Sequence, residues 1–321
     1  MRTLAHLVIA LGVVLASESC AKRLQQVDLP QGAPAHVAEL WQQPTAPRDL
    51  FAGAGGERLA PQSDTFSFVT RDTSGWSPGF DVRDANGVEW SVKLGPEAQS
   101  EVVTSRILWA LGFHQPPTYY LERWTLTGAE SGPQPAGRFR PDVPGQEVVA
   151  DWSWYENPFV GTREYGGLIV ANLILNSWDW KTSNNKIYQL QEATNGITRR
   201  FVVRDVGASL GKTTYPAILK WFRLRGFGQG TRNDLPDFEE QGFIKRIDEE
   251  RIEFDYVGIY RDVINSVIPA DVRWTCERLG ALSDRQWSDA FKAGGYTPEQ
   301  TARYVKKIRS KIDQGLALTT G

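Results

Sequence analysis

From Asp64 onward the chain alternates apolar and polar positions in short runs. Thr65 to Arg71 (TFSFVTR) alternates, Asp72 to Gly75 is turn-forming, and Phe80 to Arg83 leads through Ala85-Asn86-Gly87 into Val88 to Leu94. Asn-Gly between two alternating runs predicts a hairpin. In the last run Val88, Trp90, Val92 and Leu94 share one face, so Glu89, Ser91 and Lys93 share the other. The period then changes. Val102, Ile107, Leu108 and Leu111 fall near helical spacing within Pro96 to Leu111, and Gly112 stops the helix.

Further along, Tyr119 to Leu126 reads as a strand, and Thr127 to Val149, rich in Gly and Pro, as an irregular connection with one short strand near Arg138-Phe139-Arg140. Thr162 to Asn176 (TREYGGLIVANLILN) is apolar enough for a central buried helix. An alternating strand, a turn at Thr194-Asn195-Gly196 and a second strand, Phe201 to Arg204, follow it. The C-terminal part predicts helices over Asp255 to Val267, Ala270 to Leu279, Ser283 to Ala293 and Thr297 to about Gln314. Thr297, Pro298 and Gln300 supply an N-cap, a first-turn proline and a capping-box partner for the last of these.

The N-terminus adds an export signal. Arg2 precedes an apolar run, Leu4 to Ala16, too short for a transmembrane helix, and small residues follow up to Cys20. Cleavage before Cys20 would leave a lipid-bearing cysteine, a lipid anchor in the cell envelope; a retained membrane anchor is the rival reading. Residues 1–20 are therefore expected to be a signal peptide. Residues 21–62, with five prolines and the run Gly53-Ala54-Gly55-Gly56, are expected to form a tether or wrapped extension. No strand precedes that glycine run, so it is not read as a phosphate loop. Cys276 is the other cysteine and is read as a buried apolar residue, which excludes a disulfide scaffold. His6, His36 and His114 have no metal-ligand spacing, and a net charge of −2 over 321 residues gives no basic field for nucleic acid or an anionic membrane.

The best-spaced chemical groups lie between Ser177 and Gly211. Asp179, Lys181 and Asn184 stand as D-x-K-x-x-N, and the strand-turn-strand after them delivers Asp205 in D-V-G. Antiparallel strands of similar length return the chain to its start, which brings Asn184 and Asp205 to one end of a hairpin. Phosphoryl transfer mostly needs charge placed around a nucleotide's phosphates. A carboxylate at Asp179 suits a base for an incoming hydroxyl, Lys181 a contact to the transferring phosphoryl, and Asn184 (or Asn185) with Asp205 the oxygen ligands of Mg²⁺. Glu97 and Glu101 in the first turns of the helix either pair with Lys93 or only answer the helix dipole.

Lys93 in S-V-K, the Glu-led helix, Pro116-Pro117-Thr118 after it, then D-x-K-x-x-N and D-V-G in that order resemble the atypical protein kinase-like superfamily. Phosphatidylinositol 3/4-kinase-like bacterial proteins and secretory-pathway kinases are the nearest branches, with HipA and CotH further away. The resemblance spans roughly residues 65–211. It implies an α+β, two-lobed protein kinase-like fold: an N-lobe over 63–150, with an antiparallel sheet and one helix, and a mainly helical C-lobe over 151–321, hinged between Pro141 and Phe159. It implies ATP and Mg²⁺ as cofactors, Lys93 on the phosphates, Glu101 orienting it, Ser91 toward the adenine, Asp179 and Lys181 as catalytic groups, and Asn184 and Asp205 on the metal. Gly75 and Gly79, in Gly75-Trp76-Ser77-Pro78-Gly79, either cover the phosphates or make an ordinary turn. Ser177-Trp178 stands where the family has His-Arg, Val206 where it has Phe, and no G-x-G-x-x-G precedes Lys93.

The function implied is an exported phosphotransferase acting on a hydroxyl of a protein, lipid or glycan whose identity the residues do not name. Two other readings are a catalytically inactive surface lipoprotein that binds a ligand or partner in the same cleft, and an envelope protein with a Trp-lined glycan site. Lys220 to Arg225 (KWFRLR) and the Gly-rich stretch after it read either as a loop for an acidic partner or as a solvated helix end.

Overall fold

The computed structural model describes residues 24–28, 35–73, 77–213, 230–248, 251–258 and 260–318. The export signal, Cys20, Gly75 and Lys220 to Arg225 lie outside them. In chain order the strands are β1 (Gln25–Gln26), β2 (Thr65–Asp72), β3 (Gly79–Arg83), β4 (Glu89–Leu94), β5 (Tyr119–Leu121), β6 (Trp124–Thr127), β7 (Gly132–Gln134), β8 (Gly137–Pro141), β9 (Gln146–Asp151), β10 (Glu156–Asn157), β11 (Asn185–Thr194), β12 (Ile197–Val203), β13 (Ile244–Asp248) and β14 (Arg251–Phe254). The helices are α1 (Glu97–Leu111), α2 (Arg163–Ile174), α3 (Leu235–Glu240), α4 (Arg261–Ile264), α5 (Pro269–Gly280), α6 (Asp284–Ala293) and α7 (Pro298–Leu316).

Among the described residues seven strands form one sheet in the order β5-β8-β4-β3-β2-β6-β7. The pairs are antiparallel except one: β2 runs parallel to β6, with Thr65 to Ser67 facing Thr125 to Thr127. The expected purely antiparallel sheet is thus corrected to a mixed one. The sheet curls, because Phe66 on β2 lies 4.9 Å from Phe139 on β8 although β3 and β4 separate the two strands. Phe80, Trp90, Val92, Trp124 and Leu126 fill the same apolar interior. The alternation in β4 therefore has the predicted outcome. Trp90, Val92 and Leu94 are buried in that interior, and Ser91 and Lys93 face the cleft.

The run Tyr119 to Leu126 is two strands, since β5 pairs with β8 at one edge of the sheet and β6 with β2 near the other. A continuous strand cannot serve both edges, so the chain breaks at Glu122-Arg123. The Gly/Pro-rich connection likewise holds β7, β8 and β9 where one strand was expected. β9 leaves the sheet and joins β11 and β12 in a second, three-stranded sheet.

The second core gathers α2, α5, α6 and α7 with the buried apolar side of β11 and β12. α1 belongs to it as well: Val103, Ile107, Leu108 and Leu111 pack there, while its polar residues face the cleft side. A helix with 13 buried residues among its 15 has no solvent stripe, so its polar groups must find internal partners. Of the predicted helix at 255–267 only the four-residue α4 is helical among the described residues; it follows the β13–β14 hairpin, whose last strand ends at Phe254. Ile247, Ile252 and Phe254 alternate with charged residues at strand, not helix, spacing. α5, α6 and α7 lie where predicted, and Thr297 accepts from the Gln300 amide in the expected capping box.

Residues 35–60 wrap these helices. The Trp41 indole donates to Leu111 O at 2.7 Å and its ring lies 5.4 Å from that of Trp274. The Arg106 guanidinium lies flat on Gly53, whose φ is +73° and where a Cβ would fall 1.9 Å from a guanidinium nitrogen. Trp124, Trp154, Trp180 and Trp287 are fully buried. These tryptophans build the cores among the described residues.

Asp271, at the first turn of α5, packs against Gly166 of α2 and accepts from Ile268 N at 3.2 Å. Burial pushes its carboxyl up to about 6 from an ordinary 3.8. A raised acid stabilises the fold fully below pH 3.8 and loses that contribution as pH rises through 6, an effect of about 2–3 kcal/mol. Asp271→Asn keeps the acceptor oxygen and removes the charge. We expect it to melt higher than the wild-type protein at pH 8 and level with it at pH 4; a difference that does not change with pH would contradict this.

Candidate active site

The cleft between the curled sheet and the second sheet has a volume of about 450 Å³, and Lys93 stands on its wall. Its Nζ lies 2.8 Å from both carboxylate oxygens of Asp205, 3.0 Å from Glu101 Oε2 and 3.3 Å from Glu97 Oε2. The strand lysine, two helix glutamates and the aspartate after the hairpin thus meet at one atom. Their convergence follows from local structure. β4 alternation points Lys93 off the apolar interior, and α1 starts four residues later, so its first two turns return over that face. The β11–β12 hairpin carries Asp205 back to the level of Asn184: Asn184 O accepts from the amides of Arg204 at 2.8 Å and Asp205 at 3.2 Å.

α1 is docked on the loop after Asp205 by a polar stripe at i, i+3, i+4 and i+7. Glu97 and Glu101 hold Lys93, Ser100 Oγ donates to Gly207 O at 2.6 Å, and Thr104 Oγ1 shares a hydrogen with Ser209 Oγ at 2.8 Å. Gly207 is required at this contact, since a Cβ there would lie 2.8 Å from that of Glu97. The two glutamates therefore do more than answer the helix dipole.

Lys93 also shares Glu101 with two arginines that the sequence reading did not assign to the site. Arg138 Nε and Arg140 Nη2 lie 2.9 and 2.5 Å from Glu101 Oε1, projected from β8 on the same face as Lys93 on β4. Arg232 binds Glu97 from the other side, and Ser77 Oγ donates to Glu97 Oε2 at 3.2 Å. Burial works to raise Asp205, but Lys93, with Arg138 and Arg140 behind it, holds its carboxyl well below the usual range. Burial likewise opposes the Lys93 ammonium, and Glu101, Asp205 and Glu97 outweigh it and raise its pKa. Glu101 is lowered in the same way, burial being overcome by Arg138, Lys93 and Arg140. All three groups are charged at neutral pH.

Across the cleft, a 3-10 turn at Thr182–Asn184 presents the D-x-K-x-x-N groups. Asp179 pairs with Lys181 at 2.9 Å, and Asn184 Nδ2 donates to Asp179 O at 2.7 Å, which leaves the Asn184 side-chain oxygen turned to the cleft it lines. Asn185 is wholly buried, donating to Trp152 O at 3.0 Å, so of the two asparagines Asn184 borders the cleft. Ser91 also lines it. Gly79 sits on β3 directly opposite Lys93, where a Cβ would lie 2.6 Å from Val92 O, so it is a close-packing glycine beside the cleft. His114, half-buried, hydrogen-bonds Ala38 O at 2.8 Å away from these groups.

Among solved structures, the Helicobacter pylori proinflammatory kinase CtkA matches with a TM-score of 0.33 and 13% identity, over 80% of this chain and 100% of that one. The Golgi casein kinase matches with a TM-score of 0.39 and 9% identity, over 80% of this chain and 73% of that one. No family model matches the chain, and no curated protein sequence matches it.

The donor set fits a hard divalent cation. Asp205, whose side chain is 38% exposed, and the free oxygen of Asn184 face one cleft. Mg²⁺ characteristically takes one or two protein oxygens and fills its shell with water and phosphate oxygens. Among the described residues no three His, Cys, Asp or Glu side chains form a metal cage, which such a site does not need. Four further cations, Arg138, Arg140, Arg204 and Lys186, line the same cleft and suit a polyanionic ligand.

Proposed function

We propose that this chain is an exported phosphotransferase that moves a phosphoryl group from ATP to a hydroxyl of a protein, lipid or glycan. The observation that carries the reading is the convergence of Glu101, Lys93 and Asp205 on one wall with Asp179 and Asn184 on the other. Asn184 and Asp205 would hold Mg²⁺, which supplies charge neutralisation on the phosphates. Lys93, steadied by Glu101, would bind phosphate oxygens. Asp179 accepts the acceptor hydroxyl's proton at its carboxylate, and Lys181, already beside it, attends the transferring group. The apolar segment Leu4 to Ala16 supports a destination outside the cytoplasm, with Cys20 as a lipid attachment point.

A thermal-melt titration with ATP and Mg²⁺ tests the reading. A ligand that binds only the native state stabilises it by about 2.7 kcal/mol at a hundred times its Kd. We expect a melting-point rise that requires Mg²⁺ and disappears in Asp205→Ala. No rise at millimolar nucleotide would rule out the kinase mechanism and favour a binding-only role for the cleft.

A further inference from the structure

The cleft has a second half. A cavity of about 460 Å³ adjoins the first, and Ser91, Arg140 and Arg204 line both. We infer that Ser91, Arg140 and Arg204 form an anion subsite at the junction of the two halves, which takes a phosphoryl group of the cleft's ligand.

Arg140 is 93% buried by its 7% exposure, yet only one edge of its fork is used. Nη2 serves Glu101 and Arg204 O, while Nε has no partner. The Arg204 Nε is also unpartnered, and no carboxylate pairs with Arg204 among the described residues. Arg140 stands beside it as a like charge, its Nη2 donating to the Arg204 carbonyl at 3.0 Å, and both line the two cavities. Two guanidinium groups held together with donors unused are mutually destabilising until an anion bridges them.

Glu101 does not meet that need. Its single charge is already divided among Lys93, Arg138 and Arg140, and Glu97 is matched by Arg232. Ser91 faces Arg140 directly across the β4–β8 pair and adds a hydroxyl with no partner among the described residues. The three residues offer donors in fork geometry, which suits the planar edges of a phosphate. The subsite lies beside the Lys93–Asp205 pole, at the point where a ligand passing from one half of the cleft to the other must cross.

The test uses the whole chain in EDTA with pyrophosphate as probe, against chloride of equal ionic strength, in wild type, Asp205→Ala and Arg204→Gln. Pyrophosphate is expected to raise the melting point of wild type and of Asp205→Ala without metal, and the midpoint concentration should rise at least tenfold in Arg204→Gln. The ligand-free Arg204→Gln protein should melt at or above the wild type, because one of two repelling charges is gone; a structural arginine would give the opposite sign. A lower ligand-free melting point, an unchanged pyrophosphate response, or no response in wild type would each overturn the subsite. Loss of the Mg²⁺-nucleotide response with the pyrophosphate response intact would remove the kinase reading and leave the subsite standing.

Discussion

Glu101→Ala is expected to cost about 3–5 kcal/mol of stability, more than Lys93→Ala, although Lys93 is the residue nearer to ligand chemistry. Glu101 is completely buried and serves three cations. Its removal strands Arg138, which burial has already pushed down to about 10, and Arg140, both with little access to water. Removing Lys93 instead leaves Glu101 with its two arginines, Glu97 with Arg232, and Asp205 partly hydrated at 38% exposure. The expected readout is a fall in melting point of roughly 10 °C for Glu101→Ala and clearly less for Lys93→Ala. If the order were reversed, the ion cluster would not be organised around the glutamate.

The second large effect separates binding from chemistry. Asp179→Asn removes a base while keeping the side chain's shape and an oxygen for Lys181, and the Asp179 carbonyl that orders Asn184 is untouched. Nucleotide affinity should therefore stay within a few-fold of wild type, read by the same Mg²⁺-dependent thermal shift. Phosphoryl transfer to a hydroxyl acceptor should fall about 10²–10⁴-fold, the usual contribution of a positioned base. A variant that transfers at the wild-type rate would take Asp179 out of the mechanism, and one that no longer binds nucleotide would make it a ligand contact.

The positions of Lys93 and Asp205 in the cleft were legible because strand alternation and a hairpin place them without long-range information. Lys93 needs only the parity of β4, and Asp205 meets Asn184 because β11 and β12 return the chain. The arginines were not legible in the same way. Arg138 and Arg140 alternate with buried Phe139, a strand signature, but they sit in a Gly/Pro-rich stretch, and their value depends on β8 lying next to β4. That neighbour relation is a property of sheet order, which no local pattern encodes. α1 shows the converse. Its stripe Glu97, Ser100, Glu101 and Thr104 has helical spacing in the sequence, but a polar stripe reads as a solvent face until the loop at Gly207 and Ser209 is found against it. Of the helix expected at 255–267 only the four residues of α4 are helical among the described residues, after a β13–β14 hairpin that interrupts a largely helical region.

The wrapping of residues 35–60 has a consequence for how the chain acquires its structure. Trp41 packs against Trp274, Gln43 accepts from Arg278 at 3.3 Å, and Arg48 O accepts from Gln286 at 3.3 Å. These partners are more than two hundred residues apart, so the first part synthesised waits for nearly the last, and contacts of such separation form slowly. Vectorial synthesis normally lets early segments settle first. Here the early segment has nowhere to settle until α5 and α6 exist, and a chain emerging from a ribosome or a translocation pore would keep α1's outer side open to water, and to chaperones, until its C-terminal quarter had followed.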